Sequence, residues 1–241
     1  MEGRLEEKHA CATVRGKFHE KKGIVNQDDL FYAERGDHTV MCVADGVGSH
    51  EFAAEGSHSV VRAVADAAAA YVRGELSHGA VADDITRRYA DGVPEEHRSA
   101  AGTTCIFACV IGDAELMIGQ IGDGMCYAAI DGEPVYVSRK DDDFSNIVDA
   151  LSAEGNSASW TVRRFPLRQG AGIRVFMATD GISSDVIPGR EAACAGYFAE
   201  LLRRCPGDTA DGELESILKM WGEDGSDDDK TAIVYERRVS A

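Results

Sequence analysis

The chain has 241 residues, 44% of them hydrophobic and 28% charged, with a formal net charge of −17. That length and composition suit a soluble globular protein with one sizeable core, and residues 1–241 read as a single domain without repeats or linkers. The acidic excess argues against nucleic acid or an anionic membrane as a partner, since both call for clustered positive charge.

The charged N-terminus, MEGRLEEKHA, leads into no apolar stretch and does not read as a signal peptide. His9 to Phe18 reads as a strand. Phe31 to Ala33 and Thr39 to Ala44 form a predicted hairpin turning at Glu34-Arg35-Gly36-Asp37. Glu51 to Val72 is alanine-rich and reads as a long helix. Its most apolar part, Ala67 to Val72, is far too short to span a membrane. Val81 to Ala90 is a second helix, broken at Gly92-Val93-Pro94.

Strands follow at Thr103 to Ile111, Glu115 to Ile121 and Met125 to Ile130, with Gly112-Asp113 and Asp131-Gly132 as turns. Trp160 to Phe165 and Ile173 to Ala178 are further strands, Glu191 to Arg204 and Gly212 to Trp221 are helices, and Lys230 to Arg237 is a last strand. Helices in two blocks, with strands joined by hairpin-length turns, predict an α+β fold with mainly antiparallel sheets and segregated helices. The seven cysteines are scattered and include no CxxC pair, so they read as free thiols of a reducing cytoplasm and not as a zinc site.

The chemistry lies in the aspartates at strand ends. Met41 to Ala44 runs into Asp45-Gly46, Met117 to Ile121 into Gly122-Asp123-Gly124, and Val175 to Thr179 into Asp180-Gly181. Asp227-Asp228-Asp229 directly precedes the last strand. A lone Asp-Gly after a strand is usually a turn, and Asp91-Gly92 and Asp131-Gly132 are read that way. Several carboxylates on one rim repel one another unless a cation lies between them, and hard oxygen ligands suit Mg²⁺ or Mn²⁺.

Six segments in order resemble the metal-dependent Ser/Thr protein phosphatases of type 2C. They are Asn26-Gln27-Asp28, Val43-Ala44-Asp45-Gly46-Val47-Gly48, Gly102-Thr103-Thr104, Ile121-Gly122-Asp123-Gly124, Ala178-Thr179-Asp180-Gly181 and Asp228-Asp229-Lys230-Thr231. The chain is most similar to the compact bacterial members that carry only a catalytic domain. The resemblance implies a four-layer α-β-β-α sandwich, two antiparallel sheets flanked by helix pairs. It also implies hydrolysis of phosphoserine and phosphothreonine by a hydroxide bridging two Mn²⁺ or Mg²⁺ ions, whose charge lowers the pKa of the water they share. No C-x5-R signature of a thiol phosphatase is present.

By the same resemblance, Asp45 bridges the two ions and the Gly46 carbonyl completes one of them. Asp180 and Asp228 bind the other, with Asp227 and Asp229 as alternatives in the last cluster. Asp28 holds metal-bound water, and Asp123 joins Asp180 at a third, weaker ion. Gly102-Thr103-Thr104 is expected to be structural. The implied partners are a phosphorylated protein and a Ser/Thr kinase sharing its targets.

The departures are also readable. Gln27 stands where many relatives carry Glu, and Gly23 lies where many carry a phosphate-binding Arg, leaving Lys21 and Lys22 as candidates. Val47 replaces a histidine used by some relatives as general acid, leaving His19 and His50, both expected to be ordinary surface or loop residues. The polar stretch between Ser138 and Ser159, with Asp141-Asp142-Asp143 and Gly155-Asn156-Ser157, reads either as a plain surface loop or, by the resemblance, as a flap near the site that influences substrate choice. Two other readings remain: a non-catalytic module of the same fold that binds a kinase or phosphoprotein, and a phosphatase for small phosphate esters.

Overall fold

In the computed structural model, residues 5–138, 150–153 and 160–239 are described. The Asp141–Asp143 and Gly155–Ser157 parts of the flap fall outside them.

The elements are β1 (Leu5–Val14), α1 (Lys17–Lys22), β2 (Asp28–Arg35), β3 (His38–Asp45), α2 (Ala53–Val72), α3 (Val81–Gly92), β4 (Cys105–Ile111), β5 (Glu115–Ile121), β6 (Met125–Ile130), β7 (Glu133–Val137), β8 (Thr161–Pro166), β9 (Ile173–Ala178), α4 (Asp180–Ser183), α5 (Glu191–Arg204), α6 (Ala210–Asp224) and β10 (Lys230–Val239). They build two five-stranded sheets, ordered β1-β10-β9-β6-β7 and β2-β3-β4-β5-β8. Every pairing is antiparallel.

Three apolar layers hold four structural layers together. Strand β4 shows why its sequence, CIFACVI, is apolar throughout and does not alternate. Cys105, Phe107 and Cys109 face α2 and α3, packing with Val60, Val64, Ile85 and Tyr89. Ile106, Ala108 and Val110 face the other sheet, packing with Val175, Met177 and Ile233. Both faces of the strand are covered, so neither can be polar. On the far side, Phe176 and Ala178 of β9 pack on Phe198 and Leu202 of α5 and on Leu214 and Leu218 of α6. This is the expected α-β-β-α sandwich. Among the described residues no helix is long and apolar enough to cross a membrane.

Three elements depart from the sequence reading. The first strand ends at Val14, and Phe18 lies in α1, a turn of helix closed by Gly23 in the left-handed region at φ 70°. Its residues, KFHEKK, have helix propensity and no alternation, and they pack on the loop before β10. Strand β7 was not foreseen, being a short, half-buried edge that contains Pro134, as edge strands can. Helix α4 is a single turn, too short to show a helical period. The described cysteines are all free, with Cys42, Cys105, Cys109 and Cys126 buried and the others partly so.

Candidate metal centre

The topology delivers the aspartates to one end of the sandwich. In the β2–β3 hairpin, Asp28 at the start of one strand is the cross-strand partner of Asp45 at the end of the other. In the second sheet, Ala178 of β9 pairs with Ala232 of β10. Asp180 follows the end of β9 and Asp228 precedes the start of β10, so both fall beyond the same sheet end. Like charges directly opposite each other across a ladder are destabilising, and no apolar packing accounts for this arrangement.

The two sheets are tied at this point. Thr179 donates its hydroxyl to Asp28 Oδ2 at 2.8 Å and accepts the Thr231 N–H at 3.0 Å. Asp28 is buried, and burial pushes its carboxyl up to about 7 against hydrogen bonds from Thr179 and Thr231, with the Asp229 charge adding to the rise. Asp45 is driven well above the usual carboxylate range, first by burial, then by the charges of Asp28, Asp180 and Asp228. The Asp28 and Asp45 carboxyls hydrogen-bond each other, as two such groups do when they share a proton.

The backbone of Asp45 is pinned from the side by Thr103 and Thr104. The Thr104 N–H and the Thr103 hydroxyl both donate to the Asp45 carbonyl, at 2.7 and 3.0 Å. The Asp45 N–H donates to Thr104 Oγ1 at 3.1 Å. The Gly102-Thr103-Thr104 segment therefore positions Asp45, a structural role in keeping with the sequence reading. Gly46 donates its N–H to the Gln27 carbonyl at 3.1 Å, which joins the two motifs that carry Asp28 and Asp45.

The residues before β10 divide their tasks. Asp228 is exposed and adds its charge to the pressure on Asp45. Its Oδ1 accepts the Asp229 N–H at 2.9 Å. Asp229 is buried and turned away, accepting three hydrogen bonds from Gly16 N–H, Gln27 N–H and His19 Nδ1, each 2.7 Å long. Asp227 is exposed and pairs with Lys21 at 3.8 Å. Of the three, Asp228 acts on Asp45 and Asp229 on Asp28. Ligand atoms of His19, Asp228 and Asp229 lie within 4.8 Å of one another, but the Asp229 oxygens are already occupied by donors.

A family model described as Protein phosphatase 2C matches residues 15–219. The chain belongs to the protein phosphatase 2C family. Solved structures agree on the fold. The Mycobacterium tuberculosis serine/threonine phosphatase PstP/Ppp aligns at 22% identity and TM-score 0.65, over 95% of this chain and 98% of that one. PppA of Pseudomonas aeruginosa aligns at 17% identity and TM-score 0.67, over 97% and 100%. RsbX in complex with magnesium aligns at 13% identity and TM-score 0.62, over 98% and 99%. No curated protein sequence matches the chain significantly. Membership makes the chain a metal-dependent protein phosphatase by family.

The remaining candidates sit around this centre. Asp123 lies in the turn between β5 and β6, its carbonyl accepting from the Ser183 hydroxyl at 3.4 Å. Lys22 is exposed and lies over the Phe18 ring, 5.9 Å from its centroid. Gln27 is buried with its Oε1 lacking a hydrogen-bond partner. His50 accepts the Gly102 N–H on Nδ1 at 2.9 Å, which requires that nitrogen to be unprotonated.

His19 corrects the sequence reading. It is buried and bound to Asp229, not an ordinary surface or loop histidine, because α1 folds its ring under the loop before β10. Sequence reasoning also missed Thr179 as the tie between sheets and Lys230 as a buried ammonium. Lys230 Nζ donates to the Asp228 carbonyl at 2.6 Å, and desolvation holds its pKa below the ordinary lysine value. A polar residue one place before or two places after a site aspartate, in otherwise apolar strands, was the available signal for both.

Gly181 has no room for a side chain: a Cβ there would lie 1.9 Å from the Asp229 carbonyl oxygen. Because backbone is the obstacle, Gly181→Ala is expected to cost about 1–3 kcal/mol. Thermal unfolding should show this as a drop of roughly 5 °C. An unchanged Tm would contradict this packing.

Proposed function

We propose that residues 1–241 form one catalytic domain that hydrolyses phosphoserine and phosphothreonine in proteins with the help of Mn²⁺ or Mg²⁺. The observation that carries this reading is the carboxyl cluster drawn from both sheets. Asp28, Asp45, Asp180 and Asp228 offer only oxygen donors, the charges of Asp28, Asp180 and Asp228 all act on Asp45, and in the protein alone burial and mutual repulsion push Asp28 and Asp45 toward their protonated forms. A divalent cation is the partner such a donor set fits, because its charge replaces the shared proton. Asp45, the Gly46 carbonyl, Asp180 and Asp228 would hold two ions, with Asp123 and Asp180 at a third.

Bound divalent cations supply positive charge that lowers the pKa of water and neutralises the phosphoryl oxygens. The chain's own residues do the positioning. Thr179 commits one Asp28 oxygen, leaving the other aimed at Asp45, where it can orient a water and accept its proton. Thr103 and Thr104 fix the Asp45 main chain so that its carboxyl need not reorganise when the site fills. Lys21, drawn to Asp227 at the rim, would meet the phosphate of an incoming phosphoprotein. A Ser/Thr kinase acting on the same cytoplasmic targets would be the opposing partner in signalling.

Hydrolysis of a phosphothreonine peptide and of p-nitrophenyl phosphate, measured with Mn²⁺, with Mg²⁺ and with chelator, tests the proposal. Metal-dependent turnover that chelator abolishes is expected, with the peptide preferred over metabolite phosphates. Folded protein that turns over nothing with either metal would defeat it.

A further inference from the structure

The segment that carries Asp228 is held mainly through its backbone. It lies outside the sheets, Asp228 is exposed, and its N–H reaches only the Ser226 hydroxyl, at 3.2 Å. A metal ligand on a loose loop would be poorly placed; here Lys230 Nζ donates to the Asp228 carbonyl, Asp185 accepts the Ser226 N–H, and Gly16 to His19 packs on the same backbone. The Phe18 N–H donates to the Asp227 carbonyl at 2.9 Å. Gly16 packs so tightly that a Cβ on it would lie 2.2 Å from the Asp228 carbonyl carbon. On the other side of Asp228, the Asp229 carboxylate accepts from Gly16, His19 and Gln27.

We infer that His19 is a positioning residue for the metal centre, acting through Asp229 to fix the Asp228 carboxylate in register with Asp45. This inference rests on the metal-dependent reading above. An ionised carboxylate only accepts, so Nδ1 bears the proton in the His19–Asp229 contact. Asp229 is 2% exposed, so its carboxylate depends on these three donors, of which His19 supplies the one side-chain donor and removing it leaves a buried acceptor short. With His19 in place, the carboxylate knots together the turn before α1, helix α1, the Gln27-Asp28 motif and the Asp228 loop. Asp229 is buried while its neighbour Asp228 is exposed, so the two side chains face opposite ways. His19 thus sets which of three neighbouring aspartates becomes the ligand. Partners that orient metal ligands in this way are typically worth 10- to 100-fold in metal affinity.

The test is calorimetric titration of Mn²⁺ into chelator-stripped parent protein, His19→Ala, His19→Asn and Asp227→Asn, with thermal unfolding of each. His19→Ala is expected to bind Mn²⁺ about 10- to 100-fold more weakly. His19→Asn, whose amide nitrogen takes the place of Nδ1, should recover most of that loss, and Asp227→Asn should bind like the parent. Saturating Mn²⁺ should restore kcat to His19→Ala, since the defect lies in holding the ion. A merely structural histidine would lower Tm without moving Mn²⁺ affinity. If His19→Ala does not fold, His19→Gln carries the comparison, because its amide falls one bond beyond the carboxylate and should bind more weakly than His19→Asn. Parent-like affinity in His19→Ala, or no advantage of His19→Asn over either variant, would overturn the role. A parent that takes up no Mn²⁺ would overturn the metal reading itself, and this role with it.

Discussion

Asp45→Asn is expected to lower phosphopeptide hydrolysis by about 1,000-fold or more while making the metal-free protein more stable. The loss follows from position: the charges of Asp28, Asp180 and Asp228 all act on Asp45. Removing its charge takes away the centre of the cation site, and several kcal/mol of lost charge stabilisation correspond to at least three decades in rate. The gain in stability follows from the same crowding. A neutral amide ends the like-charge repulsion and can donate to Asp28, which in the parent must share a proton with Asp45. The Thr103 and Thr104 contacts to the main chain of residue 45 are untouched by the substitution. A gain of 1–2 kcal/mol would appear as roughly 2–8 °C in Tm at pH 7.5 in chelator. Activity within tenfold of the parent would refute the central role of Asp45. Loss of activity with a lower Tm would mean a damaged fold and not a missing ligand.

The division between what the sequence disclosed and what it hid has a physical pattern. Strands β5, β6 and β9 were readable to the residue because each is a mainly apolar run with Gly or Asp within two residues of both ends. Asp45, Asp180 and the Asp227–Asp229 cluster stood out in the sequence because an acidic residue at the end of a buried strand is conspicuous. The alternation of Asp228 and Asp229 between site and interior was not, since three identical residues in a row carry no facing signal. Nor could the sequence show that His19 and Asp229, 210 positions apart, share a proton. Such contacts are set by how α1 docks on the loop before β10, a tertiary event with no local period. The same holds for Thr179, whose side chain crosses from one sheet to the other to reach Asp28. Sequence thus disclosed the groups that bear charge and missed those that orient them.

The acid–base state of the cluster yields the second large effect, a stability that depends on pH in opposite senses with and without metal. In chelator, Asp28 has its carboxyl at about 7, against 3.8 for an exposed aspartate. Between those values the folded protein keeps a proton that the unfolded chain has released, so stability falls as pH rises through this window. The full loss is on the order of 4 kcal/mol for a shift of this size, and Asp45 is displaced in the same direction. A bound cation reverses the trend, since it binds the ionised carboxylates and must compete with protons at low pH. Mn²⁺ at about 100 times its dissociation constant should then stabilise by about 2.7 kcal/mol at pH 7.5, a rise of roughly 5–10 °C in Tm, and by little at pH 5. Calorimetric scans from pH 5 to 8 in chelator and in Mn²⁺ would show the curves diverging as pH rises. Asp28→Asn should flatten the chelator curve, because its side chain no longer titrates while its oxygen can still accept from Thr179. Parallel curves, or a metal-free Tm that climbs from pH 5 to 7.5, would mean that the cluster is not poised between proton and cation, and the site would need another explanation.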